Sequence, residues 1–520
     1  VARACIGGRA RSMDFSDKFP FTLPCQYSPD GKWIATVVES KLVVRDVESI
    51  EVFRSFRCIG VPSKMEWSPD SKYVMAAMFK RGVVQIFSLY DKKWACKITE
   101  GAAGISGAYW APTSQHVVTV QDFQIRLTIW SLCENNRWIV ERPKYADRGI
   151  KFSNNGKFLA VLERRDFKDM MGIYSCKTFE LLQSFRINTE AAEDIAWSPD
   201  DTAIAVWDTN LEYNVFVYSP DARELVNYRA YQGYLGVKKV QWSKTGMFLS
   251  IGSFDQKLRL LNNVSWGRIC EFSHDAAFVG PEAVFYEEKE VEIEEKNDAE
   301  FTESPSQMLA ERKNNTKFIA SPSRKTGDKY SVEQKNPTKF VISEGAIEIV
   351  EVRPDPSIAG LPKEGVGVIS WSHDDRYILT KNDNMPRALW IWDTRYLCLS
   401  SIIQLQSPVR CAKWHPTENK LIIATGKRKI YLWTMDGCSI VNTPIEKFRV
   451  RTVRWHPSGE TFMLMDKNQF CCCFFNDDQE GEGEGEGLDD EGGEAYEEDI
   501  EEGEGMFDLT QDIRRLEMKV

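Results

Sequence analysis

The sequence predicts an all-β chain, a β-propeller of about nine four-stranded blades, and three observations predict it. One short phrase recurs nine times, at spacings of 40, 43, 42, 45, 45, 129, 43 and 41 residues. Each copy is followed by apolar runs that are too short for helix pairs. Aromatic residues make up 12% of the 520, a level that favours sheets.

The phrase is an aromatic residue, Ser or His, usually Pro, two turn residues and then an apolar run. It reads YSPDGKWIA from Tyr27, WSPDSKYVM from Trp67, WAPTSQHVV from Trp110, FSNNGKFLA from Phe152, WSPDDTAIA from Trp197 and WSKTGMFLS from Trp242. After a gap it returns as WSHDDRYIL from Trp371, WHPTENKLI from Trp414 and WHPSGETFM from Trp455. The aromatic ends one strand, and Pro with Asp, Asn or Gly closes a tight turn, because Pro presets φ and Gly permits positive φ. An apolar second strand follows, such as WIATVV from Trp33. A third ends on a bulky residue: LVVRD from Leu42, LTIWS from Leu127, LRLLN from Leu258, LWIWD from Leu389. A less regular fourth stretch, such as TFELLQSFR from Thr178, completes the unit. Four short antiparallel strands per 40 to 45 residues is one propeller blade of the WD-repeat type.

The match to that pattern is loose. Trp392-Asp393 alone gives the WD dipeptide at the end of a third strand, and no Gly-His pair occurs. Asp255, with Asp122 and Asp383 in the same place in their units, is expected to brace a blade turn. His415 and His456 hold the turn position that Ser holds elsewhere, so they are assigned to the fold. The last unit stops after three strands, at QFCCCFFN from Gln469, and FPFTLP from Phe19 is available to supply its fourth. Joining the ends in this way protects edges that would otherwise pair with other chains. One large ring, or two unequal or incomplete rings, both fit the arithmetic.

The domain organisation follows. Residues 1–13 are a leader without expected structure, and Met13 reads as the biological start. Blades 1–6 occupy 14–275 and blades 7–9 occupy 364–475. Between them, 276–363 is an acidic insertion, expected to be largely disordered. A hairpin is expected at 339–352, turning at Glu344-Gly345. Within the insertion, Ser321 in SPSR and Ser304 in a weaker Ser-Pro context are candidate phosphorylation sites, where phosphate would add nearly two negative charges. Residues 476–505 alternate Glu and Gly and cannot bury a core, so a disordered acidic tail is expected. The final segment, 506–520, places Leu509, Ile513, Leu516 and Val520 on one face of a short amphipathic helix.

Charge sharpens this picture. The formal net charge is −11, but Asp477 to Glu504 holds 16 acids with no Lys or Arg, and Glu287 to Glu303 carries a net −7. About +12 remains on everything else, so the folded body is basic although the chain is acidic.

Several function classes are excluded. No run approaches 18 uncharged apolar residues, so a membrane-spanning helix is not expected. The thirteen Cys show no CxxC pair, and the five His no ligand spacing. Cys471, Cys472 and Cys473 are consecutive, so a strand would turn them to alternating faces and not into one ligand set. No Ser/His/Asp spacing, phosphate-binding loop or nucleophile elbow occurs, and no catalytic residue, metal or cofactor is expected. The residues alone reach an interaction scaffold.

The phrases LVVRDVES from Leu42, MFKRGVVQIFSL from Met78, LERRDFKDM from Leu162, AVWDTNLEY from Ala205, GSFDQKLRLLNNVSW from Gly252, KNDNMPRALWIWD from Lys381 and QSPVR from Gln406 resemble one WD-repeat family. It is the centrosomal and spindle-pole family called WD-repeat protein eight, encoded antisense to a p53-family gene in vertebrates. The likeness runs from about Met13 to Phe475, with the insertion at the same place. The acidic tail and final segment depart from the vertebrate pattern, so nothing about them carries over. The resemblance implies a non-enzymatic adaptor at centrosomes, basal bodies and spindle poles, in the cytoplasm and cytoskeleton. It implies a coiled-coil anchoring partner of the SSX2-interacting type and, as in yeast, a minus-end-directed kinesin-14. Microtubules or tubulin would be reached indirectly, and neither nucleic acid nor membrane insertion is implied. Such an adaptor anchors microtubule minus ends, sets spindle length and supports cilium assembly. Two rival readings remain. Trp392, Asp393 and Arg395 fit the WDxR box of cullin ubiquitin-ligase substrate receptors, and a nine-unit propeller with a charged tail is similar to translation-initiation scaffolds.

Overall fold

A computed structural model of the chain describes residues 12–134, 136–278, 283–290, 338–343, 347–352 and 360–476. They form nine blades around one ring, each built on four antiparallel strands a to d, which follow chain order in blades 1 to 8. Blade 1 comprises Leu23–Tyr27, Trp33–Val38, Lys41–Asp46 and Val52–Arg57. Blades 2 to 6 follow at 64–99, 107–141, 150–186, 192–228 and 237–273, and blades 7 and 8 take their a to d strands from 366–404 and 411–442. Strands b and c are buried on both faces because blades stack face to face, so they read as nearly continuous apolar runs. Tyr73–Met78 and Ile204–Asp208 are examples. Strand d lies on the rim and alternates between exposed and half-buried, as in Val52–Arg57.

Nine apolar clusters sit between the blades, one for each consecutive pair. The ninth joins Phe21, Cys25 and Ile34 of blade 1 to Met463, Met465 and Phe470 of blade 9, so there is one ring. Blade 9 has strands Thr452–Trp455, Thr461–Met465 and Gln469–Asn476, and its fourth is Ser12–Phe15, with Met13 opposite Phe475. This corrects two expectations. Ser12 and Met13 are not an unstructured leader, and FPFTLP supplies only part of the fourth strand: Phe19–Pro20 pairs with the far end of Gln469–Asn476, continuing what Ser12–Phe15 begins. The reason is burial: Met13 is fully enclosed between blades 8 and 9, where no residue of FPFTLP reaches. Along Gln469–Asn476, Cys472 faces blade 1 while Cys471 and Cys473 face blade 8.

The insertion enlarges blade 7 to six strands. Val284–Glu290 lies parallel to strand d, Cys398–Gln404, and Thr338–Ser343 pairs antiparallel outside it. The hairpin expected at 339–352 does not form; Ile347–Glu348 pairs with Ala277–Phe278 instead. A buried carboxylate decides the pairing. Glu288 accepts hydrogen bonds from Thr338 (2.9 Å) and from Tyr431 of blade 8 (3.0 Å) and ion-pairs with Lys429. Ser304, Ser321, Glu344-Gly345 and everything beyond Asn476, including the acidic tail and final segment, lie outside the described residues.

The recurring phrase now has a mechanical meaning. Trp67, Trp110, Trp197, Trp242, Trp414 and Trp455 each donate the indole N–H to a strand-a carbonyl of the preceding blade, at 3.0–3.3 Å. The following Ser bonds the Asp or Asn two residues on and accepts the N–H five residues on, closing the a–b turn (Ser68 with Asp70 and Tyr73, Ser153 with Asn155 and Phe158).

In every blade but the eighth, where it is Glu418, the fifth residue of the phrase adopts a left-handed φ and touches the preceding blade's turn. Where it carries a side chain it caps that turn: Ser71 accepts from Asp30 N (3.0 Å), and Asp375 from Lys244 and Thr245 N (2.6 Å each). Where it is Gly31 or Gly459, the preceding blade reaches across instead. His456 Nε2 donates to Gly31 O at 2.7 Å and His415 Nε2 to Gly459 O at 3.0 Å. A Cβ on Gly31 would stand 2.5 Å from His456 Nε2, at φ +79°. Gly31→Ala is therefore expected to destabilise by about 2 kcal/mol. His456→Ser, which restores the residue used by other blades, should recover about half of that in the double variant. Urea unfolding of the four chains checks the coupling; strictly additive effects would contradict it.

Candidate interaction surfaces

Turns a–b and c–d lie on one face of the ring; b–c turns and d–a connections lie on the other. The second face carries the unusual chemistry, and in blades 3 to 5 its loops are stitched together. Arg142 N donates to Ile125 O (3.1 Å), Arg164 N to Arg142 O (3.2 Å) and Lys144 N to Leu162 O (2.7 Å). Beneath them Asp169, fully buried, ion-pairs with Lys144 (2.8 Å) and Arg164 (3.0 Å) and accepts from Ala192 N (2.7 Å) of blade 5. Removing one partner of such a buried set costs more than an exposed pair contributes, so this stretch of loops is held rigidly.

On that support, apolar side chains face solvent. In blade 4, strands b and c, Phe158–Arg165 and Lys168–Ser175, have eight residues each, whereas strand b of the other blades has four to six. Their two-residue turn, Asp166-Phe167, therefore projects beyond its neighbours. Both residues have positive φ, 48° and 61°, the turn type that normally takes Asn-Gly. Phe167 is 91% exposed. In the adjoining b–c turn, Phe123 also has φ 61° and is 87% exposed, and in the next, Leu211 is 67% exposed. A bulky residue in the left-handed region costs about 1 kcal/mol with no compensating burial here.

The residues singled out in the sequence are placed as follows. Asp255 bonds Ser253 and Arg259 (2.5 Å) and accepts from Lys257 N, bracing the b–c turn of blade 6. Asp383 reaches across to Lys238 of blade 6 (2.6 Å) and to Lys381 (3.6 Å). Asp122 packs over Gly104 in the connection entering blade 3. Trp392 and Asp393 are buried: the indole donates to Thr380 Oγ1 (2.8 Å), and the carboxylate accepts from Arg395 N (2.8 Å) and Tyr396 N (3.3 Å). Asp46 does the same in blade 1, accepting from Glu48 and Ser49 N. Of the three, only Arg395 presents its side chain to solvent, so the WDxR positions include an ordinary c–d turn cap. These sites are not brought together.

Two residues went unread in the sequence. Asp169 was visible only as part of a charged run. His274 lies in the d–a connection before blade 7, fully buried. Its Nδ1–H donates to Gln256 O (2.8 Å), and its Nε2 accepts from Thr380 Oγ1 (2.7 Å). The His274–Thr380–Trp392 chain has a counterpart in blade 3, where Thr119 bonds Glu100 (2.6 Å) and receives Trp130 Nε1–H (2.8 Å). Burial holds the His274 pKa down to about 4, leaving the imidazole neutral at ordinary pH. Among the described residues, no group of His, Cys, Asp or Glu is arranged to hold a metal ion.

No protein-family model matches the chain. It is 38% identical over 464 residues to the mouse WD repeat-containing protein WRAP73, spanning 89% of this chain and 96% of that protein. It is 22% identical over 478 residues to an uncharacterised WD repeat-containing protein of Schizosaccharomyces pombe, covering 86% and 89%. It is also 22% identical over 423 residues to a component of eukaryotic translation initiation factor 3 from Anopheles gambiae, covering 78% of this chain and 56% of that protein.

Proposed function

Since the chain belongs to the family of the WD repeat-containing protein WRAP73, we propose that it is a non-enzymatic scaffold of the centrosome, basal body or spindle pole, helping to anchor microtubule minus ends. The observation that carries the scaffold part is the row of exposed Phe123, Phe167 and Leu211 on rigidly held loops. Two of these residues occupy backbone conformations that oppose folding, which is what a surface kept for a partner looks like. The cellular address and the partners, a coiled-coil anchoring protein of the SSX2-interacting type and a minus-end-directed kinesin-14, are supported by the family resemblance of the phrases quoted above. The 22% likeness to the initiation-factor component supports the translation reading less strongly, and the partly buried WDxR box gives the ligase reading little exposed surface.

Affinity purification of the tagged chain from dividing cells tests this. The expected co-purifying proteins are the coiled-coil protein and the kinesin; ribosomal proteins or a cullin adaptor would overturn it, as would a tagged copy that never gathers at microtubule-organising centres. Phe167→Gly is expected to leave stability unchanged or raise it by about 0.5–1 kcal/mol, because glycine accepts the left-handed turn. The same change with Phe123→Ser should reduce recovery of the coiled-coil partner several-fold. Unaltered recovery would place docking elsewhere.

A further inference from the structure

A second sector of the same face, over blades 7 to 9, carries a different chemistry. Its loops follow one another in space, tied by backbone hydrogen bonds. Leu405 N donates to Arg387 O (2.9 Å), Arg410 N to Ala424 O (2.9 Å), Thr443 N to Arg428 O (2.8 Å) and Val450 N to Lys427 O (3.0 Å). Arg449 N then bonds Asp466 Oδ2 (3.2 Å), and Phe21 N bonds Asn468 O (2.9 Å) at the entry to blade 1. Arg387, Arg410, Lys427, Arg428, Arg449 and Lys467 stand along this arc, all exposed, and among the described residues none of them is held in an ion pair. The nearby carboxylates are mostly occupied: Glu288 by Lys429, and Asp466 by Arg451 (3.3 Å). Glu446 and Asp17 are exposed acids of the arc, and Glu351 is exposed at its blade 7 end, where Val352 N bonds Asn384 O (2.7 Å). Gly426 lets Arg410 lie directly over the loop that carries Lys427 and Arg428, since any side chain there would meet Arg410 Nε at 2.7 Å.

Unpaired cations carried on one run of adjoining loops repel one another, and an anionic ligand removes that repulsion. The surroundings indicate which ligand. The loops of blades 8 and 9 expose no aromatic or large aliphatic side chain; Phe448 and Val450 point inward and Ile445 is half-buried, whereas at the blade 7 end Val350 and Val352 are exposed beside the turn at Asn384. Among its described residues the arc therefore lacks the aromatic platforms on which single-stranded nucleic acid stacks, and its blade 8 and 9 loops lack the large apolar wedges that enter a bilayer. We propose that the blade 7–9 arc binds an acidic polypeptide segment of a partner, a run of Asp and Glu in extended form, whose carboxylates repeat about every 3.3 Å. This surface is separate from the Phe123–Phe167–Leu211 row and stands whether or not that row is a docking site.

The full chain is titrated against a fluorescent oligoglutamate peptide, read by anisotropy at low and at physiological salt. Binding is expected, weakening about tenfold between the two salt conditions. Arg428→Glu with Arg449→Glu should lower affinity by at least about tenfold. Lys92→Glu with Lys93→Glu makes the same charge change in an exposed c–d turn of the opposite face and should alter affinity less than about twofold. Both double variants change solvated positions, and an unchanged melting curve confirms that each is folded. Equal loss in the two variants, or no binding at low salt, overturns the proposal. So does tighter binding of an oligonucleotide of equal charge, or of phosphatidylserine vesicles, through Arg428 and Arg449.

Discussion

Replacing Met13 by Asp is expected to cost about 3–5 kcal/mol, among the largest effects of any single change in the chain. The side chain is fully enclosed by Ile422, Val453, Phe462, Cys471 and Cys473, and its strand is the fourth of blade 9. A carboxylate there must either be buried unpaired or pull Ser12–Phe15 away from Gln469–Asn476. Either outcome opens the joint between Ser12–Phe15 and the rest of blade 9 and exposes a strand edge. Met13→Leu keeps the volume and apolarity, and should cost less than about 1.5 kcal/mol. Urea midpoints of the two variants, with limited proteolysis near residues 12–20, measure the difference. Equal midpoints would mean that the joint contributes little to the ring.

The second large effect is a pH dependence centred on His274. Unfolded, its imidazole takes up a proton below about pH 6.5; folded, burial delays that to about pH 4. Between these values the unfolded chain binds the extra proton, so stability falls as the pH drops from 6.5 towards 4, by about 3 kcal/mol over the whole window. Asp255 acts in the opposite sense but more weakly than desolvation. Above pH 6.5 both states are neutral at this site and the slope vanishes. His274→Gln should unfold more readily at pH 7.5, having lost part of the chain to Thr380 and Trp392, yet lose about 3 kcal/mol less than the parent on acidification. Parallel pH profiles for the two proteins would show that the imidazole is not what senses acid.

The blade repeat was fully legible because it is local. Each aromatic, Ser and turn residue acts within its own unit or on the unit next to it, so the period shows in the chain itself. His415 and His456 were legible as fold residues for the same reason, although that each answers a glycine in the following blade required coordinates. What could not be read depends on partners far away in sequence. Thr338–Ser343 and the stretch after Gly345 look like a hairpin because they are adjacent. Their real partners are Val284–Glu290 and Ala277–Phe278, on the far side of a long insertion. His274 escaped notice because the same insertion separates it from Thr380 by 106 residues. SMDF, at Ser12–Phe15, is four residues with no periodic signature of its own. The Phe123–Phe167 row was hidden because exposure of an aromatic is not a property of its neighbours in the chain.

The pairing of Ser12–Phe15 with Gln469–Asn476 also sets a timetable. The earliest described strand cannot be satisfied until the last has left the ribosome, roughly half a minute to a minute and a half later at ordinary synthesis rates. Throughout that interval Met13 and the inner wall of blade 1 have no cover from blade 9. Closure thus waits for the last blade and is a step of very high contact order, slow compared with the folding of any one blade. Until blade 9 is made, the nascent chain therefore leaves apolar surface and an unpaired strand edge open at its amino-terminal side.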